Sequence, residues 1–245
     1  MAKISLMLGR ARMAFALVGL ALVACTASSP ASDRVSEARR LKLGSLKKQF
    51  AAKGLHYPPN RLYIRAFKHE KQLELWVADK PQGPLKLLRT YEIARASGVL
   101  GPKRKEGDRQ VPEGFYTIDR YNPRSQFLLS LGLNYPNARD RALGEKHPGG
   151  DIFIHGSNVS IGCLAMTDDR IREIYLISLD ARAKPVPVHI FPMRMQGAQF
   201  QKILAEAAPE TQKLWQSMAP AYRAFQGSRT VPRVGVSGTS YILRD

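Results

Sequence analysis

The chain has 245 residues, 44% hydrophobic and 24% charged, a balance that supports a folded core and excludes a disordered chain. That length suits one domain with an extension. Lys and Arg number 38 against 20 Asp and Glu, a net charge of +18 that favours anionic partners.

The amino end reads as a leader. Lys3, Arg10 and Arg12 precede an apolar run at residues 13–23. Crossing a bilayer takes about 20 such residues, so this shorter run suits a secretory signal. It closes on Leu22-Val23-Ala24-Cys25, which resembles a bacterial lipobox and makes Cys25 the expected lipidation site and first mature residue. Ordinary cleavage near Ala27 and an uncleaved anchor are the rivals. All three place the protein outside the cytoplasm and associate it with a membrane through the lipid or the signal segment. Export, with no recognisable nucleic-acid module, argues against nucleic acid as a partner.

Residues 26–33 are rich in Ser, Ala and Pro and read as a tether. Residues 35–54 carry Arg39, Arg40, Lys42, Lys47, Lys48 and Lys53. The expectation is a solvated, loosely docked helix with Leu41, Leu46 and Phe50 turned inward. The rival is a segment that seeks an anionic surface.

Strand patterns follow. Residues 62–67 and 73–77 alternate apolar with other residues around Lys68-His-Glu-Lys71, which predicts a β-hairpin. Residues 85–93 suit another strand. Residues 98–107 form a Gly/Lys/Arg loop, and 112–118 a turn entering a strand. Residues 127–133 and 152–155 add two more. The fold class expected is mainly β (α+β), a sandwich or barrel with a few helices.

Beyond Cys163 the period changes. Thr167-Asp168-Asp169 suits a helix start, and Ile171, Ile174, Tyr175 and Ser178 then share a face. Residues 185–190 return to a strand. Residues 210–225 are amphipathic, with Trp215, Met218, Tyr222 and Phe225 at helical spacing. A hairpin around Ser237-Gly238 ends the chain. The organisation expected is a leader at 1–25, a tether and basic segment at 26–54, a principal domain at 55–192 and an extension at 193–245 whose role the residues leave open, covering of one sheet edge being one option.

The chemistry concentrates in Asp151-Ile-Phe-Ile-His155-Gly-Ser-Asn-Val-Ser160-Ile-Gly-Cys163. If Cys25 carries lipid, Cys163 is left without a cysteine partner. The thiolate is the working nucleophile, and a neighbouring imidazole lowers the thiol pKa by accepting the proton. A strand ending at His155 and a short return loop can bring Cys163 beside it. Gly156 and Gly162 permit close approach and unusual dihedrals, and amides near Gly162 and Cys163 suit an oxyanion. Ser160 either orients the loop or only bonds the backbone. A buried structural cysteine is the rival reading. Zinc would need further ligands, and neither His147 nor His189 has the spacing, so no metal or cofactor is expected.

Ile154-His155-Gly156 followed by Ser160-Ile-Gly162-Cys163 resembles the active-site motif of the L,D-transpeptidase (YkuD-type) catalytic domain family. Ser97-Gly98, Lys103, Gly107-Asp108 and Pro112-Glu-Gly-Phe-Tyr116 are similar to its preceding strand–loop–strand. The YafK-like branch is closer, through Tyr63-Ile-Arg-Ala-Phe-Lys68, Leu73-Glu-Leu-Trp76, Leu133-Asn-Tyr-Pro-Asn137, Gly162-Cys-Leu-Ala-Met-Thr-Asp168 and the tail from Trp215 to Pro232. The resemblance implies a periplasmic enzyme acting on peptidoglycan stem peptides, with Cys163 as nucleophile, His155 as general base and then general acid, and Gly162 with neighbouring amides as oxyanion hole. Tyr135 and Lys103 are further candidates for substrate contact, although a solvated basic loop is the favoured reading of 103–105. Two departures stand out: Ile161 replaces the usual histidine before Gly-Cys, and Leu164-Ala165 replace the usual polar residue after it. The branch shares both, and it resembles enzymes that release a wall-linked outer-membrane lipoprotein. Transpeptidation, hydrolysis and non-catalytic wall binding therefore all remain open at this point.

Overall fold

The computed structural model describes residues 30–143 and 146–244, with side chains from Asp33 onward. The leader, Cys25 and residues 26–29 of the tether lie outside the described residues. In chain order the elements are α1 (Pro30–Ala52), β1 (Arg61–Phe67), β2 (Gln72–Ala78), β3 (Lys86–Glu92), β4 (Arg95–Ala96), β5 (Gly114–Asn122), β6 (Ser130–Leu133), α2 (Ala138–Ala142), β7 (Phe153–His155), β8 (Leu164–Ala165), α3 (Asp168–Asp180), β9 (Pro187–Phe191), α4 (Gly197–Glu206), α5 (Pro209–Ser228), β10 (Arg233–Ser237) and β11 (Ser240–Arg244). Among them no helix is long and apolar enough to cross a membrane.

Nine strands form one curled, mixed sheet in the order β3-β2-β1-β9-β5-β6-β7-β8-β4, and β10-β11 make a separate hairpin. Pairing is antiparallel except at β1–β9 and β7–β8. Strand β5 pairs with β9 through residues 114–117 and with β6 through residues 118–122, with an irregularity at Ile118/Arg120. It thereby belongs to both halves of the sheet, and a register break of this kind bends a strand. The fold is mainly β with a few helices, as expected, in the form of a curled half-barrel.

Strands β1 and β2 are buried nearly end to end because both faces of the sheet are covered. Leu62, Ile64 and Ala66 of β1 join Ile171, Ile174 and Ile177 of α3 and Leu46 and Phe50 of α1 in the principal core. On the other face, Phe67 and Phe191 pack with Leu214, Trp215, Met218 and Tyr222 of α5. Described residues of the segment after Phe191 thus cover a sheet face rather than an edge. The reason is legible in β1 itself: Tyr63 and Phe67 project large rings away from the principal core, and each needs an apolar partner. Tyr63 meets Phe225 and Phe67 meets Tyr222 at ring-centroid distances of 4.9 and 6.3 Å.

Helix α1 is docked, not loose. Ala38, Leu46 and Phe50 are fully buried, whereas Leu41 is 46% exposed and does not turn inward. Arg39 grips both carboxylate oxygens of Asp180 at 2.6 Å, and Lys42 pairs with Asp169 and Glu173. The helix also starts at Pro30, so the last four residues of the expected tether are helical.

Candidate active site

Strand β7 delivers His155 at its carboxyl end, paired with Ser130 on β6 and Ala165 on β8. The chain then turns under tight control. Gly156 N–H donates to the carbonyls of Phe127 and Leu129 at 3.1 and 3.3 Å. A Cβ at Gly156 would sit 2.5 Å from Phe127 O and 2.6 Å from an Asp168 oxygen, so only glycine fits. Asp168 Oδ1 accepts from Ser157 N–H at 2.8 Å. The start of α3 therefore anchors the histidine loop, and the Thr167 side chain makes no cap bond, contrary to the capping expectation.

The imidazole is 98% buried. Its Nδ1 lies 2.6 Å from Gly156 O. A carbonyl can only accept, so Nδ1 carries the proton and Nε2 is the basic nitrogen. Phe127 stacks on the ring at 4.5 Å and 29°. Burial pushes the His155 pKa below its ordinary 6.5, opposed by the Gly156 hydrogen bond.

Cys163 follows Gly162, whose φ of +131° is in the region that favours glycine. Ser160 Oγ donates to Cys163 O at 2.6 Å and accepts from Cys163 N–H at 3.0 Å and Gly162 N–H at 3.4 Å. Of the two roles open to Ser160, it bonds the backbone and in doing so shapes the loop. The two amides considered for an oxyanion are both directed at Ser160 in this resting geometry.

The thiol contacts Phe153 N–H at 3.4 Å and Asp151 O at 3.7 Å rather than the imidazole. Burial raises its pKa above 9.0; Phe153 N–H and the Lys103 charge work against that, and the Asp151 charge works with it. Both shifts run against a thiolate–imidazolium pair in the resting geometry. The expected lowering of the thiol pKa by the imidazole has no counterpart in the resting contacts, where burial is the largest influence and Asp151 O lies on the thiol at 3.7 Å.

His155 and Cys163 nevertheless face one cavity of about 240 Å3, with Phe153, Ser130 and loop residues 122 and 124–127 as its walls. A roomier cavity of about 420 Å3, along residues 100–110, holds neither of them. Among the described residues, no group of three or more His, Cys, Asp or Glu side chains gathers as a metal site would require.

Lys103 and Tyr135 sit together, Nζ 5.9 Å from the ring centroid, but neither lines the cavity. Lys103 is buried and bonds Asp108 Oδ1 at 2.7 Å and Lys105 O at 2.8 Å. Burial alone would raise the Asp108 carboxyl, but Lys103 and three backbone N–H groups hold it below its usual range. Of the loop at 103–105, Lys103 is thus not solvated as expected, Arg104 pairs with Glu210 of α5 near the surface, and Lys105 is exposed. Tyr135 OH donates to Pro148 O at 3.0 Å. The loop is pinned further by Lys68, 3.0 Å from Glu113, which accepts from Gly101 N–H and from Trp215 Nε1.

Three contributors had no expected role at the site. Phe127 supplies the wall behind His155. Arg124 lines the cavity. Arg34 of α1 donates to Ser125 O at 2.7 Å and Leu128 O at 3.0 Å, clamping the loop between them. The Arg34 contacts span more than 90 residues, and no local pattern announces them.

Residues 62–190 match the family described as the YkuD L,D-transpeptidase catalytic domain. A relative from Escherichia coli (strain K12), provisionally named as the L,D-transpeptidase YafK, is 36% identical over 187 residues, covering 74% of this chain and 73% of its own. Among solved structures, the helical cell shape determining protein Pgp2 from Campylobacter jejuni is 18% identical with a TM-score of 0.45, covering 74% of each chain. L,D-transpeptidase 1 from Mycobacterium tuberculosis is 14% identical with a TM-score of 0.32, covering 54% of this chain and 62% of that one. The matched span runs from β1 through β9 and includes both His155 and Cys163, and the chain belongs to the YkuD L,D-transpeptidase catalytic domain family.

Proposed function

We propose that the protein is a cysteine-dependent acyl-transfer enzyme that acts on peptidoglycan stem peptides in the periplasm. The observation that carries the reading is that Cys163 and His155 open onto one cavity, with the His155 tautomer fixed so that Nε2 is the available base. Membership of the family supports the substrate class.

In this reading the substrate carbonyl on the L-centre side of a diaminopimelate–D-residue bond enters beside Cys163. His155 Nε2 takes the thiol proton as the C–S bond forms. The tetrahedral oxyanion competes with Ser160 Oγ for the Cys163 N–H. As the C–N bond breaks, His155 returns the proton to the departing amine, leaving a thioester. A second amine or a water, deprotonated by His155, attacks that thioester and regenerates the thiol. The substrate completes the pair: at rest the thiol proton is held by a backbone carbonyl, not by the imidazole.

Export rests on the leader at residues 1–25, and a lipid anchor rests on Cys25. The acceptor decides between two outcomes. Amine gives a transpeptidase; water gives an amidase that releases a wall-linked lipoprotein. Incubation of the purified protein with muropeptides and with lipoprotein-bearing wall separates them. New diaminopimelate cross-links identify the first, and released lipoprotein the second. Neither product, with wall binding unchanged in Cys163→Ala, would replace both readings with a binding protein.

A further inference from the structure

We infer that Arg124 is a specificity residue that receives a carboxylate of the substrate peptide, an inference that rests on Cys163 being the nucleophile. Arg124 lines the same cavity as Cys163 and His155. Of the residues lining that cavity it is the one with a permanent charge: the rest are neutral amides, hydroxyls and aromatic rings, the thiol and the imidazole. No lining residue is acidic, so the only permanent charge in the lining is positive.

That charge has no internal counterpart. Among the described residues, the Arg124 bond is made by its backbone N–H, to Asn122 Oδ1 at 2.9 Å, and the guanidinium forms no ion pair. Its neighbour Arg120 shows the contrast. Arg120 is neutralised by Asp119 at 3.4 Å and Asp151 at 2.8 Å. A five-donor planar group left unpaired at the wall of a cleft is suited to bind a carboxylate in two-pronged fashion.

The base of this side chain is also preorganised. Arg34 ties down Ser125 O and Leu128 O, Phe127 N–H donates to Ser125 Oγ at 3.1 Å, and Phe127 O accepts from Gly156 N–H. The loop carrying Arg124 is therefore fixed to α1 on one side and to the histidine turn on the other. A group held this way loses less freedom on binding. Stem peptides around diaminopimelate carry free carboxylates close to the bond that would be cut, so the cation has a partner of the right chemistry within the same substrate.

The test compares two small probes at Cys163, anionic iodoacetate and neutral iodoacetamide, with modification at Cys163 resolved by peptide mass spectrometry. The ratio of the two rates cancels differences in thiol ionisation. In Arg124→Ala the iodoacetate-to-iodoacetamide ratio is expected to fall about fivefold at low salt, the scale of one solvent-facing ion pair. Arg124→Lys should keep most of it, and added salt should shrink the difference between wild type and Arg124→Ala. A second readout uses stem peptides with the diaminopimelate carboxylate free or amidated: the wild type should favour the free acid through KM, and Arg124→Ala should lose that preference. A ratio and a preference unmoved in Arg124→Ala would overturn the inference while leaving Cys163 intact. A wild-type Cys163 inert to both probes would overturn the nucleophile reading and this inference with it.

Discussion

Ser160 holds both sides of one residue: its Oγ donates to the Cys163 carbonyl at 2.6 Å and accepts from the Cys163 N–H at 3.0 Å. One hydroxyl thus sets the peptide planes on either side of the thiol-bearing carbon. Ser160→Ala should leave the fold intact and lower the acylation rate about fivefold to tenfold, the equivalent of one to two hydrogen bonds. Ser160→Thr should restore most of it. Acylation kinetics with a stem-peptide donor check this; wild-type rates in Ser160→Ala would show that the loop needs no such tie.

The directions of the two shifts at the site give a specific pH signature. Cys163 is held above its ordinary pKa and His155 below its own. Alkylation of Cys163 in the free protein should therefore keep rising through pH 9. A thiolate–imidazolium pair would instead give a plateau at neutral pH. His155→Ala should reduce acyl transfer about 100-fold or more and leave the alkaline limb in place. A wild-type plateau below pH 7 would contradict those directions.

A buried histidine elsewhere governs stability in mild acid. Burial, reinforced by the Arg65 charge, pushes His189 down to about 3, and Tyr63 OH bonds its Nδ1 at 2.6 Å. The unfolded chain takes up this proton near pH 6.5, and the folded one does not until far lower. Stability is therefore greatest above about pH 6.5 and falls as pH drops toward 3. His155 acts in the same direction. Between about pH 6.5 and 5.5, where carboxylates still change little, Tm should decline, and His189→Gln should flatten that decline. An unchanged slope in the variant would contradict this assignment.

Docking of α1 depends on Asp180, which accepts from Arg39 twice and from Tyr57 OH, all at 2.6 Å. Asp180→Ala should cost about 2 kcal/mol, because it strands the partly buried Arg39 guanidinium and removes the shorter of the two bonds of Tyr57 OH. That corresponds to roughly 5 °C in Tm for a chain of this size. Since α1 carries Arg34, the variant should also increase amide exchange in residues 124–128. Exchange unchanged there would separate helix docking from the cavity wall.

The sequence was informative where structure is local. The hairpin at Lys68–Lys71, the amphipathic stripe of α5 and the terminal hairpin are set by neighbouring residues, and each was legible. Strands β4 and β8 have two residues each, too short to show a period. Helix α2 has five residues, yet its start carried a signal: Asn137 and Asp140 form a capping box. Helix α4 places Phe200, Ile203 and Leu204 at helical spacing and could have been read. At the site, His155, Ser160, Gly162 and Cys163 share one short segment and were visible together. Arg34, Arg124 and Phe127 reach it only through tertiary contacts. The thiol pKa could not be read from spacing at all, because it is set by burial and by which carbonyl holds the proton.

The most direct test of the central claim is the intact mass of the protein after exposure to a tetrapeptide-stem donor under slow-turnover conditions. The wild type is expected to gain the mass of the acyl fragment without its departing D-residue, with the adduct mapping to Cys163 and absent from Cys163→Ala. An adduct that survives in Cys163→Ala, or turnover of the donor by that variant, would contradict the account.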